Sequence, residues 1–207
     1  MQVSGFTFEV IDGQDNNTEL YKAIFRLRYQ VYVNEWGFEN PADHPDGLEQ
    51  DCHDKYSRHF YACAGSESEI IGTARIILPS DLTLPIQENF SFYENFRKIP
   101  DLSVAEISRL AISKDFRRRA IDSVIFNADK SHTMDLERHQ AGSTNIAVDR
   151  RKCEHELVRG IYLSVYRECI TLGLTHCYAV MARGLYVILA RWGICFKQIG
   201  PGKKYHG

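Results

Sequence analysis

The sequence predicts a mixed α/β fold, a sheet with helices on both faces. Three observations lead there. Residues 6–11, 59–64, 70–78 and 104–112 carry apolar side chains in strand-like alternation or in short apolar runs. Leu20, Ile24, Leu27 and Val31, and later Leu157, Ile161, Val165, Ile170 and Leu172, recur at helical spacing. Strands dominate the first half, and two strand–helix alternations close the chain.

Each element follows from its local pattern. Residues 6–11 form the first strand. Asp15, Asn16, Asn17 and Thr18 offer helix caps, and the helix they open runs to about Glu35. Residues 37–54, with Pro41, Pro45, Gly47 and many acids, form a long loop. Strands 59–64 and 70–78 are joined by the polar SESE connection. Residues 79–101 are irregular and aromatic, and 104–112 is a strand. Residues 116–128 fit a helix, and 130–151 is a polar, exposed insertion. A helix ending at Gly173 follows. Then come a strand over 176–181, a short helix over 184–192 and a strand over 194–199. The chain stops soon after a Gly-Pro-Gly turn, where one more edge strand would fit the pattern. The whole reads as a single unit of residues 1–207. Its parts are an N-terminal helix and acidic loop (12–56), a core sheet (57–112), the insertion (about 130–151) and the C-terminal helix–strand units (152–207).

Composition narrows the function classes. The chain has 207 residues, 44% of them hydrophobic and 25% charged, enough for one sizeable buried core. The 25 basic residues against 27 acidic ones give a net charge of -2, which argues against nucleic acid as a partner. No apolar run reaches membrane-spanning length, and the N-terminus lacks a signal-peptide pattern, so a cytoplasmic location is expected. The six cysteines are scattered without a C-x-x-C pair and read as free thiols. Cys52-His53 and Cys153-x-His155 lack the second spaced pair that a zinc site needs. DHPDGLEQD does not have calcium-loop spacing, so no metal is expected.

Four stretches carry the chemistry: RLRYQVYVNEWGF (26–38), EQDCHD (49–54), GTARIILP (72–79) and AEISRLAI (105–112). In this order they resemble the acyl-homoserine-lactone synthases and their relatives, the N-acyl amino acid synthases. The residues that match the family pattern are Arg28, Tyr32, Gly37-Phe38, Glu49, Asp51, Asp54, Arg75, Phe90, Glu106 and Arg109. Tyr32 and Phe38 replace other aromatics of the family. The insertion and the ending FKQIGPGKKYHG look more like a sister group, the acyltransferases associated with bacterial PEP-CTERM/exosortase systems. The resemblance implies the fold of GCN5-related N-acetyltransferases: a mixed, mostly antiparallel, splayed sheet flanked by helices.

It also implies roles. An amine that attacks a thioester must lose a proton, and Glu106, a carboxylate on a central strand, would accept it. Arg109 would serve the same site. The rival reading is a buried Glu106–Arg109 ion pair that only braces the fold. Residues 106 and 109 point to opposite faces of a regular strand, so a shared site requires a bulge near Ile107–Ser108. Glu49, Asp51 and Asp54 would pair with Arg28, Arg75 and Arg109 and hold the acceptor; a solvated acidic loop is the alternative. Tyr32, Phe38 and Phe90 would wall the acceptor pocket or acyl tunnel, or simply pack the core. Arg117, Arg118 and Arg119 stand where acetyltransferases carry a glycine-rich phosphate cradle. Without glycines, they suit a single pantetheine phosphate and an acidic acyl carrier protein, or else form a solvated basic face.

The implied reaction moves a fatty acyl group from an acyl-carrier-protein or coenzyme A thioester to the amino group of an amino-acid-like acceptor, with no permanently bound cofactor. A lactone synthase using S-adenosylmethionine is the second reading. A non-catalytic binder of acyl carrier protein or lipid is the third.

Overall fold

The computed structural model describes residues 1–3, 5–15, 18–64, 69–96, 104–116 and 142–203. Among the described residues six strands form one sheet in chain order: β1 (Gln2–Val3), β2 (Phe6–Asp12), β3 (Ser57–Ala64), β4 (Ile70–Ile77), β5 (Val104–Ile112) and β6 (His176–Ala179). β1 through β5 are antiparallel, and β6 runs parallel to β5. Helix α1 (Glu19–Tyr29) covers one face. Helices α3 (Gly142–Thr171) and α4 (Arg183–Arg191) cover the other, and the short α2 (Pro85–Asn89) lies between β4 and β5 in sequence.

Alternation along the strands sorts side chains between the two faces. Phe60, Ala62, Ala74, Ile76, Ala105 and Ile107 join the core under α3 and α4. Tyr61, Ile70 and Ala111 join the core under α1. α1 starts at Thr18, whose hydroxyl accepts from the Tyr21 N–H at 3.1 Å. It buries Tyr21, Ile24, Phe25, Leu27 and Arg28, one stripe at helical spacing. Past Tyr29 the helix widens into a π-turn, Gln30–Glu35, with Trp36 N–H donating to Val31 C=O. The helical register expected to run to about Glu35 therefore changes hand-off at Gln30.

Two features of the sheet prepare the site. The β5–β6 ladder runs from Val104↔His176 to Ile107↔Ala179 and ends, while β5 continues to Ile112 against β4. The two parallel strands thus part beyond Ile107. On the other side of β5, Thr73 faces Ala111 and Arg75 faces Ser108, so Arg109 and Leu110 oppose the single residue Ala74. This is a β-bulge, and Arg109 occupies it with φ 53.

Three expectations need correction. Residues 194–199 form no strand; the segment instead straps the 85–96 region, with Tyr93 N–H on Ile199 C=O at 2.8 Å and Lys203 Nζ on Asn89 C=O at 3.0 Å. Its apolar side chains Ile194, Phe196 and Ile199 pack onto existing clusters, so the alternation reflects packing rather than a ladder. Residues 142–151, expected within an exposed insertion, are the first turns of α3. Their polarity reads as loop, but they begin a helix that further on buries Leu157, Ile161 and Val165. Third, the irregular 79–101 stretch contains α2, opened by Pro85 at its first position. The helix expected over 116–128 lies outside the described residues except for its start, residues 114–116, which are helical.

α3 sits on β2 through Gly160. A Cβ there would meet the Phe8 ring at 2.0–2.5 Å. Gly160→Ala is expected to lower stability by about 1–2 kcal/mol, because so close a contact puts overpacking at about 2–3 kcal/mol, above the helix-propensity gain of about 1 kcal/mol. Urea denaturation checks this, and an unchanged or higher midpoint would contradict the packing described.

Candidate functional site: a buried arginine–carboxylate network beside Glu106

The site begins with three arginines that local structure carries into the interior. Arg28 lies on the buried stripe of α1, Arg75 on central strand β4, and Arg109 in the β5 bulge. Arg28 and Arg75 are fully buried. Without the bulge, alternation from Ser108 would send Arg109 toward α3 and α4. The extra residue turns it to the α1 face, at a cost of about 1–2 kcal/mol for left-handed backbone in a residue with a Cβ.

The acidic loop meets them. Arg28 binds Glu49 through Nε (2.5 Å) and clasps Asp54 with both terminal nitrogens, at 2.7 and 3.3 Å. Arg75 Nη1 reaches Asp51 and Asp54, each at 2.7 Å, and its Nε donates to Ser108 Oγ at 3.1 Å. Arg109 binds Glu49 at 3.0 Å, Glu39 at 3.2 Å and Asp51 at 3.4 Å. The loop orders itself around the same acids. Asp54 Oδ2 accepts from Asp51 N–H (2.7 Å), and Asp51 Oδ1 accepts from His53 N–H (2.9 Å). Gly13 permits the close seat of this turn on the sheet, since a Cβ there would lie 2.1 Å from the Asp54 carbonyl oxygen.

The electrostatics follow from this balance. Burial pushes the carboxyls of Glu49 and Asp54 upward, but Arg28, with Arg109 and Arg75, outweighs burial and holds both below the ordinary carboxylate range. Asp51 is likewise lowered, with Arg75 overcoming burial. Arg28 and Arg75 are raised despite burial, by Asp54 together with Glu49 and Asp51 respectively. His59, packed edge-to-face against the Tyr21 and Phe25 rings with Nε2 on the Asp54 carbonyl at 3.1 Å, is depressed by burial to about 4 and stays neutral at pH 7. Three guanidiniums thus face four carboxylates, Glu39, Glu49, Asp51 and Asp54.

Glu106 stands apart from that network. Burial raises its carboxyl to about 7; the Ile86 N–H, Arg75 and Arg109 pull the other way and lose, because the arginines are already engaged by other carboxylates. Glu106 is 4% exposed, and its Oε2 accepts from Ile86 N–H at 2.9 Å, in the first turn of α2. Oε1 bonds to no other described residue. In the ladder Glu106 lies opposite Tyr178 of β6, just before the strands part. Arg109 turns to Glu39, Glu49 and Asp51, and among the described residues no ion pair joins it to Glu106. The bulge lies at Arg109–Leu110, slightly beyond the Ile107–Ser108 position expected from sequence.

The aromatic residues divide. Tyr32 donates to the Leu110 carbonyl at 2.9 Å and lies under the Arg109 guanidinium, 5.4 Å from the ring centre. Phe38 lies 6.4 Å from Tyr32 and stacks on Trp36 at 5.8 Å. Phe90 is elsewhere, packed against the cluster of Ile77, Leu84, Ile86, Val104 and Tyr178 on the α2 side of Glu106. Arg117, Arg118 and Arg119 lie outside the described residues.

Four participants escaped the sequence reading. Glu39 directly follows Gly37-Phe38 and was legible as a fourth acid near the loop. Ser108 lies inside the AEISR stretch. Trp36 neighbours the Gly-Phe pair. The Ile86 N–H is a backbone group in a stretch read as irregular, and no side-chain signal marks it. Among the described residues no group of three or more His, Cys, Asp or Glu is arranged to hold a metal ion, and no helix is long and apolar enough to cross a membrane.

Comparison with known proteins places this geometry in context. The family model described as an acetyltransferase (GNAT) domain matches residues 27–127, just under half of the chain. No curated protein matches the sequence. Among solved structures, the chain is similar to the acyl-homoserine-lactone synthase LasI. The TM-score is 0.61 and the identity 16%, over 97% of this chain and 84% of that one. It is also similar to BjaI, a CoA-dependent acyl-homoserine lactone synthase solved with SAM and isopentyl-CoA. There the TM-score is 0.56 and the identity 19%, over 91% of this chain and 72% of that one. At these identities the likeness establishes the fold: a GNAT-type mixed α/β sheet, mostly antiparallel and open, flanked by helices.

Asp54 bridges two buried arginines, so Asp54→Ala is expected to cost about 3–5 kcal/mol, the penalty of leaving buried charge without its partner. Urea denaturation measures it, and a loss below about 1 kcal/mol would show the pairs to be solvated. Glu106 has a raised carboxyl, so the folded state binds its proton more tightly than the unfolded state does. Its contribution is fully present below about 4.5 and declines as pH rises toward about 7. Glu106→Gln removes this loss. The stability of the variant relative to the parent is expected to grow between pH 5 and 8, by up to about 3 kcal/mol. A flat difference across that range would count against the raised carboxyl.

Proposed function

We propose that this protein is an N-acyltransferase that moves a fatty acyl group from an acyl-carrier-protein or coenzyme A thioester to the amino group of an amino acid or amino-acid-like acceptor. The observation that carries the reading is Glu106. It is a buried carboxyl raised to about 7, with one oxygen anchored by Ile86 N–H and the other without a described partner, at the place where β5 and β6 part.

The chemistry suits that group. An α-ammonium must give up a proton before its nitrogen can attack. A carboxylate whose affinity for protons has been raised by burial accepts it near neutral pH, directly or through a water. The new C–N bond forms as the thioester C–S bond breaks, and the sulfur leaves on the pantetheine arm. Beyond Ile107 the β6 side of β5 leaves the ladder, and an extended arm can lie along it. Arg109, Asp51 and Glu39 border the acceptor side, with Tyr32 and Phe38 as its aromatic wall. Phe90, on the α2 side, borders the acyl chain. Arg28, Arg75, Glu49 and Asp54 hold the loop in place. Arg117, Arg118 and Arg119 would meet the carrier phosphate.

The second reading, an acyl-homoserine-lactone synthase using S-adenosylmethionine, is favoured by the coverage of LasI and BjaI. The ending and the polar stretch before α3 weigh toward the sister group of N-acyltransferases instead. Mass spectrometry of lipid extracts from bacteria expressing the chain separates the readings. An N-acyl amino acid supports the first. A lactone with methylthioadenosine supports the second. An unchanged lipid profile points to a non-catalytic binder of acyl carrier protein or lipid.

Glu106→Gln is expected to cut acyl transfer by about 10²–10⁴-fold while the protein stays folded. The parent rate should climb with pH and level off above about 7, as Glu106 ionises. Turnover retained within a few-fold in the variant would remove Glu106 from the role of base.

A further inference from the structure

Cys169 and Cys177 belong to different elements, the last turn of α3 and strand β6, yet their Sγ atoms are 3.4 Å apart. Two backbone constraints produce this. Gly173, with φ 66, turns the chain back, and Leu174 N–H donates to the Cys169 carbonyl at 2.9 Å. Cys177 is held in the β5–β6 ladder opposite Ala105. The approach is therefore set by the helix cap and the ladder. Both side chains are partly exposed, so a small oxidant can reach them.

We propose that Cys169 and Cys177 are an oxidative modification site, a dithiol that closes to an intramolecular disulfide when challenged by a peroxide. The contact between the two sulfurs is symmetric, since either can donate to the other, so either can attack and its neighbour resolve. The thiolate of the attacking cysteine attacks one peroxide oxygen. The O–O bond breaks, hydroxide leaves and is protonated to water, and the sulfur is oxidised to a sulfenic acid. The second sulfur then displaces that oxygen. The S–S bond forms, the S–O bond breaks, and a second water carries off the thiol proton. Two thiols and one hydrogen peroxide become one disulfide and two waters. Closure requires the sulfurs to move from 3.4 Å to about 2.0 Å, within reach of side-chain rotation. The cross-link would tie α3 to the strand whose next residue, Tyr178, faces Glu106.

The test treats the reduced full chain with a small excess of hydrogen peroxide, alkylates it and maps the cysteines by mass spectrometry. The expected product is a cross-linked 169–177 peptide that dithiothreitol opens, formed before Cys52 or Cys195 is oxidised. In either single variant, Cys169→Ala or Cys177→Ala, no cross-linked peptide should form, and oxidation of the remaining thiol should stop at a sulfenic acid that dimedone traps. Both thiols still alkylated after Cys52 and Cys195 have reacted, or either of the two advancing to sulfinic acid without a cross-link, would overturn the proposal. The wild-type result decides the matter even where a variant does not fold.

Discussion

The arrangement depends on one constraint: two guanidiniums, those of Arg28 and Arg75, are fully buried and must be neutralised where they lie. Asp54 meets both, and in doing so ties helix α1 to strand β4 through a loop that would otherwise have little reason to order. Glu49 and Asp51 extend the tie to Arg109 on β5. Four segments distant in sequence are thereby fixed by charge pairing in a low-dielectric interior. There each bond is strong, and each missing partner is costly.

That neutralisation shapes the chemistry beside it. Because the carboxylates of the loop already occupy the arginines, little positive field is left for Glu106, and burial decides its protonation. His59, a further nearby group that could become cationic, is kept neutral by burial. The result is two kinds of carboxyl within one site. Glu49, Asp51 and Asp54, held by arginines, stay ionised far below neutral pH, and Glu106 titrates near it. Environments that push like groups apart in this way are the usual basis for separating structural from proton-transferring roles.

Backbone irregularities, rather than regular elements, do the aiming. The bulge at Arg109–Leu110 turns Arg109 into the network, and three carboxylate contacts offset its left-handed strain. The π-turn after α1 brings Tyr32 onto the Leu110 carbonyl beside that bulge. The end of the β5–β6 ladder opens the sheet within a few residues of both. Each departure is local and small, and together they concentrate donors and acceptors at one place.

Much of this was legible in the residues alone. Alternation and helical spacing marked the strands and the helices, because burial of one face imposes a period on any chain. The order of arginine, acidic and E-x-x-R stretches named most of the charged participants. The requirement that residues 106 and 109 share a face called for a bulge in β5. Partnerships were decided only by tertiary structure. Arg109 pairs with Glu39 and Glu49 rather than Glu106, the Ile86 N–H anchors Glu106, and residues 194–199 strap a loop instead of adding a strand. Spacing along a chain records which face a side chain occupies. It holds no record of distances between segments brought together by folding, of backbone donors, or of how desolvation divides protons among neighbouring acids.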